Sequence, residues 1–309
     1  MEEITKELII VGAGLAGSYL GIKASEYGFD NVLIIEREPS IGGILRHLRH
    51  VNITYPDTGE EIAPQELLMN LNNELQSAEV EIWKETTVID LQEGFKVICV
   101  NPNKGVTLVN AEKVVLATGG KEINQYDLRI VGSRPAGVFT ALLAIKLVDL
   151  FNKRIGRDVV IYGDNELVKE VVTRLKGLGS NIKYLVTDKK HRDIRKDTKE
   201  FIEREDIEII DYAQVIRLHG VKRLERIEVM KNDSNDIEEI SCDTLIISKG
   251  FLPDLILIKK VGAGIDFSKL EPIKGENLET TIKDLFVAGL AAERKESIND
   301  ILKSIPVIK

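Results

Sequence analysis

The chain is short of cysteine and histidine, and it has no long apolar run. Each shortage removes a class of function. Cys99 and Cys242, the two cysteines, lie far apart, so neither a disulfide framework nor a cysteine metal motif can be built from them. The four histidines lack the H-x-x-x-H spacing of a helical metal pair, and no metal site is expected. No apolar stretch reaches the roughly 18 residues that span a bilayer. The opening MEEITKELII is acidic and runs at once into a strand, unlike a signal peptide. A reducing, cytoplasmic setting is therefore expected. Acidic residues outnumber basic ones, 50 to 42, and the net charge of −8 repels nucleic acid and anionic membrane. The run Lys189, Lys190, His191, Arg192 is a local exception and reads as a solvated turn after a strand. Glutamine is scarce while Ile, Lys and Glu are abundant, a bias met in proteins of hot environments.

What is present is enough for about two domains: 309 residues, 43% of them hydrophobic. The stretch ELIIVGAGLAGSYLGIKASEYGFDNVLIIERE predicts a strand, a helix closed by Gly28 and a second buried strand. Leu67, Leu68, Leu71 and Leu75 share one face of a further helix. EVEIWKETTVIDLQ, FKVICVNP and VTLVN then read as a small antiparallel meander leading back to the buried strand of KVVLATGG. A second strand–helix–strand unit opens at Val159, and strands in IEIIDY, LERIEVM and CDTLIISKG are expected to close it. TTIKDLFVAGLAAERKESINDILKSI reads as a strand, a glycine turn and a short helix.

The two units are repeats of one design. Aligned without gaps, Gly12 falls on Gly163, Gly28 on Gly179 and VLII on KYLV. Gly14, however, falls on Asn165, Gly17 on Val168 and Glu36 on Thr187. The expected fold is α/β, with two Rossmann-like three-layer domains. One is discontinuous, formed by residues 1–120 and 246–309, and the other, residues 121–245, is inserted into it.

Gly12, Gly14 and Gly17 form G-x-G-x-x-G between strand and helix, the cradle of a dinucleotide diphosphate. Glu36 ends the next strand, where a carboxylate accepts hydrogen bonds from ribose hydroxyls. These features suit NAD and FAD alike. The choice of FAD comes from Gly42 and Gly43, from Ala117, Thr118 and Gly119 at a second strand end, and from Gly289 at a third. A site drawing on both ends of the chain suits the longer molecule. In the second unit, Asn165 and Val168 would crowd a diphosphate and no acid stands at Thr187, so NAD(P) is expected to bind weakly there or not at all. Another adenine nucleotide as a structural element stays open.

Through GAGLAG, ATGG and LFVAGL the sequence resembles the two-dinucleotide-domain flavoproteins of the thioredoxin reductase-like and pyridine nucleotide-disulfide oxidoreductase group. GGILRHLRH and GSRPAGVFTALLAIKLVD look like segments of the flavin subunits of dye-linked dehydrogenases acting on proline, sarcosine, opines or glycerol 3-phosphate. The resemblance implies FAD contacts at Gly12, Gly14, Gly17, Glu36, Arg37, Gly42, Gly43, Val88, Thr118, Gly119 and Gly289, with Arg46 and His50 on the flavin side. It also marks departures. No redox cysteine pair is present, Leu48 stands where the group has cysteine, and Leu290 replaces the usual acid or amide, with Glu293 a turn later. No catalytic set can be assigned; His47 and His50 are the candidate bases. The leading expectation is a flavin-binding subunit of a dehydrogenase complex that oxidises a small amine or hydroxy acid, with a second subunit as partner. The alternatives are a self-contained NAD(P)H-dependent flavin reductase and a nucleotide-binding scaffold without chemistry.

Overall fold

The computed structural model describes residues 4–54 and 59–295, with Ile301, Ile305, Pro306 and Ile308 beyond them. The chain divides into two compact units. The first comprises Met1–Arg46, Asn52–Lys121 and Phe251–Lys309, the second His47–Val51 and Glu122–Gly250.

The first unit is organised by a seven-stranded sheet. Ile4–Val11 lies at its centre, paired in parallel with Val32–Ile35 on one side and Gly105–Leu116 on the other. Both faces of these central strands are covered, so they read as unbroken apolar runs: Leu8, Ile9, Ile10, Leu33 and Ile34 are fully buried. The twelve-residue strand Gly105–Leu116 serves three partners. It runs parallel to Ile4–Val11 and to Leu285–Val287, and antiparallel to Lys96–Asn101, which pairs with Thr87–Gln92. That is the expected meander, with one correction. EVEIW leaves it: Glu81–Trp83 pairs in parallel with Val32–Ile35 at the sheet edge. The helix Leu15–Glu26 follows the first strand, and Pro64–Ser77 buries Leu67, Leu71 and Leu75. Leu68 is half-buried and lies under Gly42 instead. After Leu285–Val287 comes a single turn, Gly289–Ala291; most of the helix expected next lies outside the described residues.

The second unit has a five-stranded parallel sheet, in the order Val138–Thr140, Thr244–Ile247, Asp158–Tyr162, Asn181–Val186, Glu208–Ile210. The helix Leu167–Gly177 connects the third and fourth of these. Two expectations change here. LERIEVM does not close this sheet: Arg226–Lys231 pairs antiparallel with Ala213–His219 and Ile237–Ser241 in a separate layer. Its alternation of buried and partly buried residues shows a strand with one face in the core but not which sheet takes it. The chain also returns to the first unit at Phe251 rather than at residue 246, because Thr244–Ile247 is fixed between two strands of the second. Among the described residues, no helix is long and apolar enough to cross a membrane.

Candidate functional site

Gly12 leaves the first strand with φ +106°, and a β-carbon there would lie 2.4 Å from the Ala117 carbonyl oxygen. Only glycine meets both conditions. Its N–H donates to Ile35 O at 2.8 Å, and Ala117 N donates to Val11 O at 2.9 Å, so three strand ends are tied at one point. Gly17 supplies the close helix–strand contact: a β-carbon would sit 1.8 Å from Gly12 O. Gly14 caps the helix and differs in kind, because nothing lies within 4 Å of where its side chain would be. The space is open at the positive end of a helix whose first turn carries no acid, which suits a diphosphate.

The other expected residues gather round this turn. The buried Glu36 carboxylate accepts from Ala13 N at 2.7 Å and from Glu38 N at 2.8 Å. Each oxygen keeps a further lone pair for ribose hydroxyls. Gly42 N donates to Ala13 O at 2.7 Å, and Gly43 comes so near that its β-carbon would stand 3.2 Å from the Gly14 α-carbon. Gly289 approaches the same helix, where a β-carbon would meet Ala16 at 2.8 Å, and Leu290 beside it is buried. Val88 lies on the strand that starts just after Thr86, whose N–H donates to Glu36 O. Arg37 is exposed at the same strand end. Among the described residues of this unit, two buried side-chain atoms have no hydrogen-bond partner, Thr118 Oγ1 and Arg46 Nε. Gly119 next to Thr118 faces open space. Open glycine positions and buried polar atoms lacking partners are what a long nucleotide would satisfy, and the residues fit FAD.

The second unit repeats the backbone of this turn. Gly163 has φ +117°, and a β-carbon would lie 2.0 Å from Ser248 O. Gly163 N donates to Val186 O at 2.8 Å and Ser248 N to Tyr162 O at 2.7 Å. The side chains are of another kind. Asn165 Oδ1 accepts from Leu167 N at 3.1 Å and from Ser248 Oγ at 2.5 Å, so its amide fills the start of the helix. Asp164 is buried against Lys189 at 3.1 Å, and Glu166, 1% exposed, lies 3.6 Å from Arg195. Burial alone would lower the Arg195 pKa, but Glu166 and Asp197 outweigh it and the pKa is raised. Val168 is fully buried, and Asp188, next to Thr187, is paired with Lys249 at 2.5 Å. Where the first turn has Ala13 and Leu15, the second thus has two carboxylates, each facing a cation.

One helical turn on, Glu170 is fully buried. It accepts from Arg174 Nη1 at 2.5 Å and from the backbone N–H groups of Arg49 and His50 at 2.7 and 2.6 Å. Arg174 Nη2 in turn donates to His47 O at 3.0 Å. Its one local signal is an i, i+4 acid–arginine pair on a helix, which is usually a surface feature. The segment His47–Val51 thus packs within the second unit, with His50 exposed, while Arg46 belongs to the first. Cys99 and Cys242 are buried in the cores of different units, and burial pushes each thiol up to about 12. Neither can serve as a redox thiolate.

A family model described as pyridine nucleotide-disulphide oxidoreductase matches residues 6–305. The chain is 23% identical to a ferredoxin–NADP reductase of Frankia casuarinae over 91% of its length and 85% of the relative's. In structure it is similar to a T. acidophilum thioredoxin reductase, with a TM-score of 0.73 and 18% identity over 94% of this chain and 91% of that one. It is also similar to an L-proline dehydrogenase of P. horikoshii, with a TM-score of 0.62 and 22% identity, covering 94% of this chain but 51% of that one. At such identities a structural likeness shows the fold alone.

Proposed function

Since the chain belongs to the pyridine nucleotide-disulphide oxidoreductase family and is an FAD-dependent oxidoreductase, we propose that it is the flavin-binding subunit of a dehydrogenase for a small amine or hydroxy acid. The observation that carries this reading is the second turn. Asp164, Asn165 and Glu166 stand there where the first turn has Ala13, Gly14 and Leu15, and the two cysteines are buried apart, which argues against a pyridine nucleotide and against a dithiol as the route for electrons. When bound, FAD supplies a two-electron acceptor. The residues of this chain bind and orient it. Gly12, Gly14 and Gly17 let the backbone and the helix end meet the diphosphate. Glu36 holds the ribose hydroxyls, and Arg37 and the Val88 backbone lie toward the adenine. Gly42, Gly43, Arg46, Thr118 and Gly119 border the remainder, with Gly289 and Leu290 closing the turn beside the helix. The substrate donor, and an exit for its electrons, are assigned to a partner subunit.

A second reading, a self-contained NAD(P)H-dependent flavin reductase, is supported by the curated relatives named ferredoxin–NADP reductase and by the retained turn at Gly163. Anaerobic spectra of the FAD-loaded protein, alone and with a co-expressed partner, test the choice against L-proline, sarcosine, small hydroxy acids, glycerol 3-phosphate, NADH and NADPH. Flavin bleaching by an amine or hydroxy acid supports the first reading. Bleaching by NAD(P)H alone replaces it with the second.

A further inference from the structure

Three neighbouring strands of the second unit's antiparallel layer bring His219, Glu228 and Glu239 together on one face. This layer carries neither glycine turn. Among the described residues, these three form a group whose possible ligand atoms all lie within 4.8 Å of one another. His219 Nε2 and Glu228 Oε1 are already 2.6 Å apart. The register explains the gathering. Glu228 pairs directly with Glu239 across one strand boundary and with Arg217 across the other, two residues from His219. Ile227 and Val229 point to the core, which turns Arg226 and Glu228 outward.

Two carboxylates facing each other on adjacent strands repel. The nearby arginines relieve this only in part. Arg217 Nε stands 3.5 Å from Glu228, and Arg226 Nε lies 3.0 Å from Glu239 without the alignment of a hydrogen bond. Glu239 is more than half exposed and can turn. From this geometry we propose that His219, Glu228 and Glu239 bind a divalent transition metal of the zinc class. One imidazole nitrogen and two carboxylate oxygens, with a position open to solvent, make a donor set that suits zinc. Magnesium and calcium, which take oxygen ligands, suit it less. Closing on the ion to metal–ligand distances of about 2.0–2.1 Å requires Glu239 to swing inward and leave Arg226. The bound ion joins three strands, so its consequence is a stapled layer, and stability rises with metal concentration.

The test uses the full-length, FAD-loaded protein, stripped with EDTA and titrated with zinc chloride by calorimetry, beside His219→Ala and Glu239→Gln. The expected result is one equivalent of zinc per wild-type chain, an unfolding temperature that rises with zinc, and binding weakened by about tenfold or more in each variant. Flavin content should be unchanged in the variants, and magnesium chloride should give no comparable binding. Should His219→Ala fail to fold, Glu239→Gln decides, since it changes one exposed side chain. No zinc uptake by the wild type means that the arginines alone neutralise the face, and it overturns the proposal. Uptake equal in wild type and variants places the metal elsewhere and overturns it as well.

Discussion

Gly12 donates to Ile35 and Ala117 to Val11 in the first unit; Gly163 donates to Val186 and Ser248 to Tyr162 in the second, bond for bond. Past those bonds the two turns diverge within four residues. Gly14 leaves an open helix end, while Asp164, Asn165 and Glu166 put buried polar side chains at the matching positions. The frame of a nucleotide turn is therefore separable from its grip. The frame needs one glycine against a neighbouring strand's carbonyl. The grip needs space and positive potential just beyond it, and there the second turn carries carboxylates that the first lacks at the matching positions.

This contrast can be broken from either side. The largest effect is expected for Gly17→Val, which gives the first turn the residue found at Val168. With a β-carbon 1.8 Å from Gly12 O, helix and strand must separate, and the purified variant should carry no flavin by absorbance per chain. Next is Glu170→Ala in the second unit. It strands the buried Arg174 and two backbone N–H groups, and should destabilise by about 3–5 kcal/mol, read as a lower denaturation midpoint. Tyr19 holds the equivalent place in the first unit, so no charge network of this kind is at stake there. Glu36→Gln should be smaller. The amide sets a donor against Ala13 N or Glu38 N and loses charge-assisted bonds to a ribose, weakening FAD by about 1.5–3 kcal/mol in a fluorescence titration. The smallest effect is on the thiols. With both raised to about 12 by burial, the thiolate fraction at pH 8 is on the order of one in ten thousand, and a thiol reagent should label neither until the protein unfolds.

The first turn was legible because its glycines answer to steric rules that act over a few residues. The same rules exposed the second turn as altered at Asn165 and Val168. Long-range pairing was not legible. Arg226–Lys231 shows a strand's alternation, but whether it joins the parallel sheet or a separate layer depends on partners elsewhere in the chain. Glu170 reads as one acid on a helix, and nothing local announces that it holds the backbone of Arg49 and His50. His219, Glu228 and Glu239 lie on three strands, so a search for helical spacing passes over them. The apolar run Leu285–Val287 was readable as a strand, and its pairing with Gly105–Leu116 brings Gly289 to the first helix.

The most direct test of the contrast is to mix the FAD-loaded protein with excess NADPH, and separately NADH, without oxygen, and follow the flavin absorbance by stopped flow. An open first turn and a filled second one predict one flavin per chain that stays oxidised with either nucleotide. Rapid and complete bleaching by NADPH or NADH would contradict it, since the second turn would then be gripping what its own carboxylates should exclude.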